Sequence, residues 1–82
     1  AYLIVLDDSV KSMKLHYHVK KRLVAMLKNA IRNMELGRAN SVAYRLKGFI
    51  HAVEAQRGNK ITHEQADILV ADALAIIDML RG

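Results

Sequence analysis

The sequence predicts an all-α fold: a small three-helix bundle with a long basic first helix and a short extended N-terminal arm, assembled as a homodimer. Three observations lead there. The 82 residues include no Pro and only four Gly, so little interrupts a helix from within. Apolar residues recur at alternating steps of three and four, the period of one helix face. Thr62-His63-Glu64-Gln65 has the form of a capping box, in which the Thr hydroxyl and the Gln side chain each serve a free backbone N–H at a helix start.

The chain is read as one domain of residues 1–82, since this length suits a single small core. Ala1–Leu6 (AYLIVL) is short, apolar and rich in β-formers, and is expected as an extended arm, free to pair with its own copy across a two-fold axis. Asp7, Asp8 and Ser9 then supply a helix start, with acids beside the positive end of the helix dipole. The first helix is expected over 9–36. Val10, Met13, Tyr17, Val24, Leu27, Ile31 and Met34 lie on its apolar stripe, Lys20 interrupts that stripe, and Gly37 stops the helix. A second helix over 40–57 has Val42, Leu46, Phe49, Ile50 and Val53 on its core face and ends at Gly58-Asn59. A third over 62–81 is apolar nearly all round, with Ile68 and Met79 outside its main face.

Length is the argument for the homodimer. An unbroken first helix would span roughly 42 Å against roughly 27 Å for the others. Its front would then overhang the bundle and leave Val10, Met13 and Tyr17 for a second protomer to cover. The competing arrangement is a kink near His16–His18 that folds the front back as a fourth helix.

Composition narrows the chemistry. Zero Cys removes disulfides, thiolate nucleophiles and thiolate metal sites, and fits a cytoplasmic protein. The initial Ala reads as following removal of a starting Met, and the first apolar run is too short for a signal-peptide core or a membrane span. His16 and His18 point about 200° apart on a helix, and His51 stands alone. The pair His63/Asp67 sits at a helix start, where capping and solvation are the usual roles, so neither a metal nor another cofactor is expected. No Ser or Thr has a base at a readable spacing and no Gly-rich phosphate loop occurs, so the chain is read as no enzyme.

Charge is the feature that points to a function. The net value is +5. The front is basic, through Lys11, Lys14, Lys20, Lys21, Arg22, Lys28, Arg32 and Arg38 against Glu35; the back is acidic, through Glu64, Asp67, Asp72 and Asp78. At about 100° per residue, Lys14, Lys21 and Lys28 fall on one line of the first helix with Arg22 and Arg32 beside them. A row of flexible cations can neutralise several phosphates and release counterions. Lys14, Lys21, Arg22, Lys28 and Arg32 are therefore the expected nucleic-acid contacts, with DNA preferred to RNA and Lys11 and His18 peripheral. Asn29 and Asn33 share the face, but few side chains there can read bases, so the expected regulator binds electrostatically. A membrane-surface role fits poorly, because the apolar side is needed as core.

The alternative is a protein-binding inhibitor or adaptor, of the size phages and mobile elements encode, acting on a larger complex or an acidic protein. Its surface would be Tyr44, Gly48, Ala52 and Ala55, or Ile68 and Met79 on the last helix. Within it, Ala43-Tyr44-Arg45-Leu46-Lys47-Gly48 resembles the Ala-His-x-Leu-Lys-Gly core of histidine-phosphotransfer domains, which lies on a helix of a four-helix bundle. The resemblance covers about six residues. It implies an assisting role for Lys47 and room at Gly48 for a docking receiver domain. Tyr44 stands where the family has its phospho-accepting His, which implies a receiver-binding relative without relay chemistry.

Overall fold

The computed structural model describes residues 2–81 and contains four helices: α1 (Tyr2–Ser12), α2 (Tyr17–Glu35), α3 (Ala39–Gln56) and α4 (His63–Arg81). The all-α expectation holds; the count of three helices does not. α1 packs on α2 and α4, α3 packs on the same two, and among the described residues no close backbone approach crosses either diagonal. The helices therefore form a ring of four, each antiparallel to its chain neighbour.

Two linked expectations are overturned. Residues 2–6 are not an extended arm but the first turns of α1, and Ala1 lies outside the described residues. The helix expected over 9–36 is broken at Met13–His16. Burial explains both. Leu3, Leu6 and Val10 recur at steps of three and four, share one face of α1 and are nearly or wholly inaccessible. Each buried aliphatic side chain of this size contributes about 1.5–3 kcal/mol. Folding α1 back captures that burial at the loss of a few backbone hydrogen bonds, so tertiary packing overrides local helix propensity. Val10 and Met13 are then covered by the chain itself, and the overhang that called for a second protomer is gone. Tyr17 stays 68% exposed.

Local bonds hold the break. The Ser12 hydroxyl donates back to the Asp8 carbonyl at 2.9 Å, and the Leu15 N–H donates to the Met13 carbonyl at 3.1 Å. His16 starts α2, its Nδ1 accepting the His18 N–H at 3.3 Å. Lys20 accounts for the gap in the apolar stripe: its ammonium donates to the Lys11 carbonyl at 2.9 Å and so caps the C-terminal end of α1. Asp7 is buried on α1, with one oxygen 2.8 Å from the Lys11 ammonium and the other without a partner.

The remaining turns follow their sequence signals. Gly37, at φ +74°, ends α2 with two bonds, Gly37 N–H to Met34 O and Arg38 N–H to Asn33 O, the paired pattern of a glycine-terminated helix. Thr62 and Gln65 form the expected capping box at 3.0 and 3.1 Å. Gln65 also donates to the Lys14 carbonyl at 3.3 Å, tying the α1–α2 link to the start of α4. The core faces of α3 and α4 repeat every three or four residues: Val42, Leu46, Phe49 and Val53 from α3, Ala66, Leu69, Ala73, Ile76 and Ile77 from α4. No helix among the described residues is long and apolar enough to cross a membrane.

Candidate nucleic-acid interface

α2 buries Val19, Leu23, Leu27 and Ala30 and turns Lys21, Arg22, Lys28 and Arg32 outward. The division follows from spacing alone. At about 100° per residue, Lys21, Lys28 and Arg32 fall within one narrow sector, and Arg22 lies to the side that faces α3. Lys14 is exposed too, but it sits in the link before α2 rather than on the helix line. Lys11 belongs to α1, where the Asp7 carboxylate accepts its hydrogen bond and holds its pKa above the ordinary lysine value.

The ring of helices keeps the two charge signs apart. α4 exposes Glu64, Asp67, Asp72 and Asp78, yet among the described residues α4 lies diagonally across from α2, with no close backbone approach between the two. Among the described residues, none of Lys21, Arg22, Lys28 and Arg32 has a carboxylate within ion-pair distance. α3, the neighbour of α2, adds exposed Arg45, whereas its exposed Lys47 lies beside Leu80 of α4. Arg57 is the exception among the cations near α3. Its guanidinium binds both Glu54 oxygens at 2.8 and 2.9 Å, Asp67 at 2.7 Å and the His63 carbonyl at 3.3 Å. Hydrogen bonds to Glu54 and Asp67 raise its pKa further, and the same contact lowers that of Glu54. This clamp fixes the α3–α4 turn and leaves the α2 cations free.

The second candidate surface divides in space. Tyr44 is 75% exposed and Ala55 is exposed, whereas Gly48 and Ala52 are partly buried. A Cβ built on Gly48 would lie 3.6 Å from the Met26 methyl, so the room at this glycine is occupied by α2. Ala52 lines a cleft between α2 and α3. Ile68 and Met79 are each about half exposed on α4. Met79 also borders an apolar groove of about 400 Å³ formed with Leu3, Ile4, Ile31, Met34 and Leu80 at the end where α1 begins and α2 and α4 finish.

Sequence reasoning missed that groove, because its lining comes from three helices, one of them misread as an arm. It also missed Lys60, which the α3–α4 turn brings to the cleft beside His18 and Arg22. Nothing in linear spacing joins Lys60 to Arg22. Among the described residues no three His, Asp or Glu side chains come together as a metal site requires.

Residues 4–78 match the profile of the FIMAH domain, and the chain belongs to that family. Comparison with curated proteins and with solved structures found no match.

Proposed function

We propose that this chain is a non-enzymatic regulatory binding module that engages nucleic acid, DNA in preference to RNA, through the outer face of α2. The single observation behind the reading is that Lys21, Arg22, Lys28 and Arg32 are exposed on one helix and unpaired among the described residues. Internal pairing with the acidic helix would have argued for a merely solvated face, and the diagonal placement of α4 prevents it. Lys21 and Arg32 are eleven positions apart, about 16 Å along the axis, enough to meet successive phosphates. Lys14 adds a contact from the preceding link. Recognition is electrostatic, since phosphate contacts position a protein without reading sequence.

The test is a fluorescence-anisotropy titration of a short labelled duplex at several salt concentrations. Five phosphate contacts, four from α2 and one from Lys14, give a log–log salt slope of about −4.5. Combined reversal, Lys21→Glu with Arg32→Glu, should abolish binding while the helical circular-dichroism signal is kept. Absence of binding at low salt overturns the reading.

A protein-binding module is the second reading, favoured by a separate observation: Tyr44 is 75% exposed, and the groove beside Met79 is almost wholly apolar. An acidic protein partner would use the α2 face; an apolar one would use the groove or Tyr44. For a homodimer, the half-exposed Ile4 and Met79 at that groove end are the apolar surface that supports it best. Sedimentation analysis of the wild type and of Met79→Glu decides whether copies associate there.

A further inference from the structure

Arg22 lines a cleft of about 180 Å³ at the seam of α2 and α3. His18 and Arg22, one turn apart, form the α2 wall; Ala52 and Gln56, also one turn apart, form the α3 wall; Lys60 reaches in from the α3–α4 turn. Val19 and Leu23 make an apolar floor. We propose that this cleft is an anion site for a phosphomonoester, a phosphate group carried singly rather than within a continuous backbone.

The chemistry follows from the lining. Four nitrogen-bearing side chains, His18, Arg22, Gln56 and Lys60, line the cleft from α2, α3 and the α3–α4 turn, and no carboxylate lines it. Among the described residues neither Arg22 nor Lys60 is in an ion pair, so their charges are not already spent within the chain. A guanidinium presents a planar fork suited to two oxygens of one phosphate, and an ammonium adds a point charge from another side. A phosphomonoester exposes three oxygens to such an arrangement, whereas a backbone diester has only two unesterified ones and lies along a surface.

The cleft is also built to stay open. Ala52 supplies a methyl group where a larger residue would fill the space. Lys60 is on a braced turn: the Gly58 N–H binds the Ile61 carbonyl at 2.8 Å, the Asn59 and Ile61 N–H groups bind the Gln56 carbonyl at 2.9 and 3.0 Å, and Ile61 is wholly buried. Gln56 adds an amide to the wall, and its Oε1 is a buried acceptor without a partner. Buried polar atoms are seldom left unpaired. The NH2 of the same amide is a donor that a phosphate oxygen can accept from.

This inference shares only Arg22 with the proposed nucleic-acid face, and its test separates the two. Inorganic phosphate is titrated against chloride at constant ionic strength, with amide shifts read by two-dimensional NMR. The expected result is saturable shifts confined to the stretch around His18 and Arg22 and to that from Ala52 to Lys60. Lys60→Gln, a change at an exposed turn, should weaken phosphate at least tenfold and leave duplex binding within twofold. Ala52→Leu should block phosphate by filling the cleft. The paired reversal at Lys21 and Arg32 should do the opposite, removing duplex binding and sparing phosphate. A terminally phosphorylated oligonucleotide and its unphosphorylated twin then identify the source. Tighter binding of the phosphorylated strand assigns the site to strand ends, and equal binding of the two assigns it to free phosphate. Phosphate shifts no larger than those from chloride, or unaltered by Lys60→Gln, overturn the proposal.

Discussion

At the scale of single residues, polar side chains do work that their types alone do not announce. Lys20 looked like a flaw in an apolar stripe and is the cap of a neighbouring helix. Gly48 looked like a place kept open for a partner, yet only the flexible end of Met26 stands over it, at ordinary contact distance. Its φ is not positive, so nothing in the backbone requires glycine. Gly48→Ala should therefore raise stability by about 0.5–1 kcal/mol, the usual gain of alanine over glycine inside a helix, measured by urea denaturation; a loss would mean that Met26 cannot give way. The clamp at Arg57 makes a prediction in pH. The Arg57 contact, chiefly its hydrogen bond, depresses the Glu54 pKa below 4.5 in the folded chain. A depressed carboxylate stabilises the fold above its unfolded pKa, and that contribution disappears as pH falls through the folded value. The melting temperature of the wild type should exceed that of Glu54→Gln near neutral pH, and the gap should close as pH falls through and below the ordinary glutamate range. A gap that persists in acid would show that the charge of Glu54 is not its source. The effect is small, because the pair is partly exposed to solvent.

At the scale of elements, α1 and the break after it separate what the sequence displays from what it hides. The starts and stops of α3 and α4 were legible within a residue, because the capping box and the glycine turns are local chemistry. The break at Met13–His16 was legible only as the competing kink near His16–His18, since it has no Gly or Pro and arises from burial against helices distant in sequence. A signal was nonetheless present. Leu3, Leu6, Val10 and Met13 keep one three–four spacing straight across the supposed boundary between arm and helix. The β-branched residues Ile4 and Val5 drew attention to a strand, and both are on the exposed side of α1. The candidate cations on α2 were legible for the reason the core was, since one helix sets both faces. The cleft with Lys60 was not, because it depends on how α2 and α3 meet. Val10→Ala should cost about 1.5–3 kcal/mol by losing a wholly buried side chain, while Val5→Ala, at a site 60% exposed, should cost under about 0.5 kcal/mol. Denaturant titration checks both. Equal costs at the two sites would deny that α1 is docked by the face described.

At the scale of the whole molecule, the order of helices around the ring decides the electrostatics. Neighbours α2 and α3 expose Lys21, Arg22, Lys28, Arg32, Arg45 and Lys47, while α4, with Asp72 and Asp78, stands across the bundle from α2. A chain in which α2 touched α4 would have neutralised its own stripe. The separation leaves the α2 cations without a carboxylate partner among the described residues. If the proposed face binds DNA, the charges of α2 and α4 should act on different parts of the reaction. Encounter rate responds to the field of the entire protein, whereas the salt slope of the equilibrium constant counts the phosphates contacted. Asp72→Asn with Asp78→Asn removes two negative charges far from α2 and so raises the net charge from +5 to +7. Stopped-flow mixing with a labelled duplex should show faster association at low salt. That gain should fade toward physiological ionic strength, where charges beyond about 8 Å are screened. The slope of log affinity against log salt should not move, because no contact has been added. A shifted slope would place Asp72 or Asp78 at the contact surface and overturn the assignment of that surface to α2.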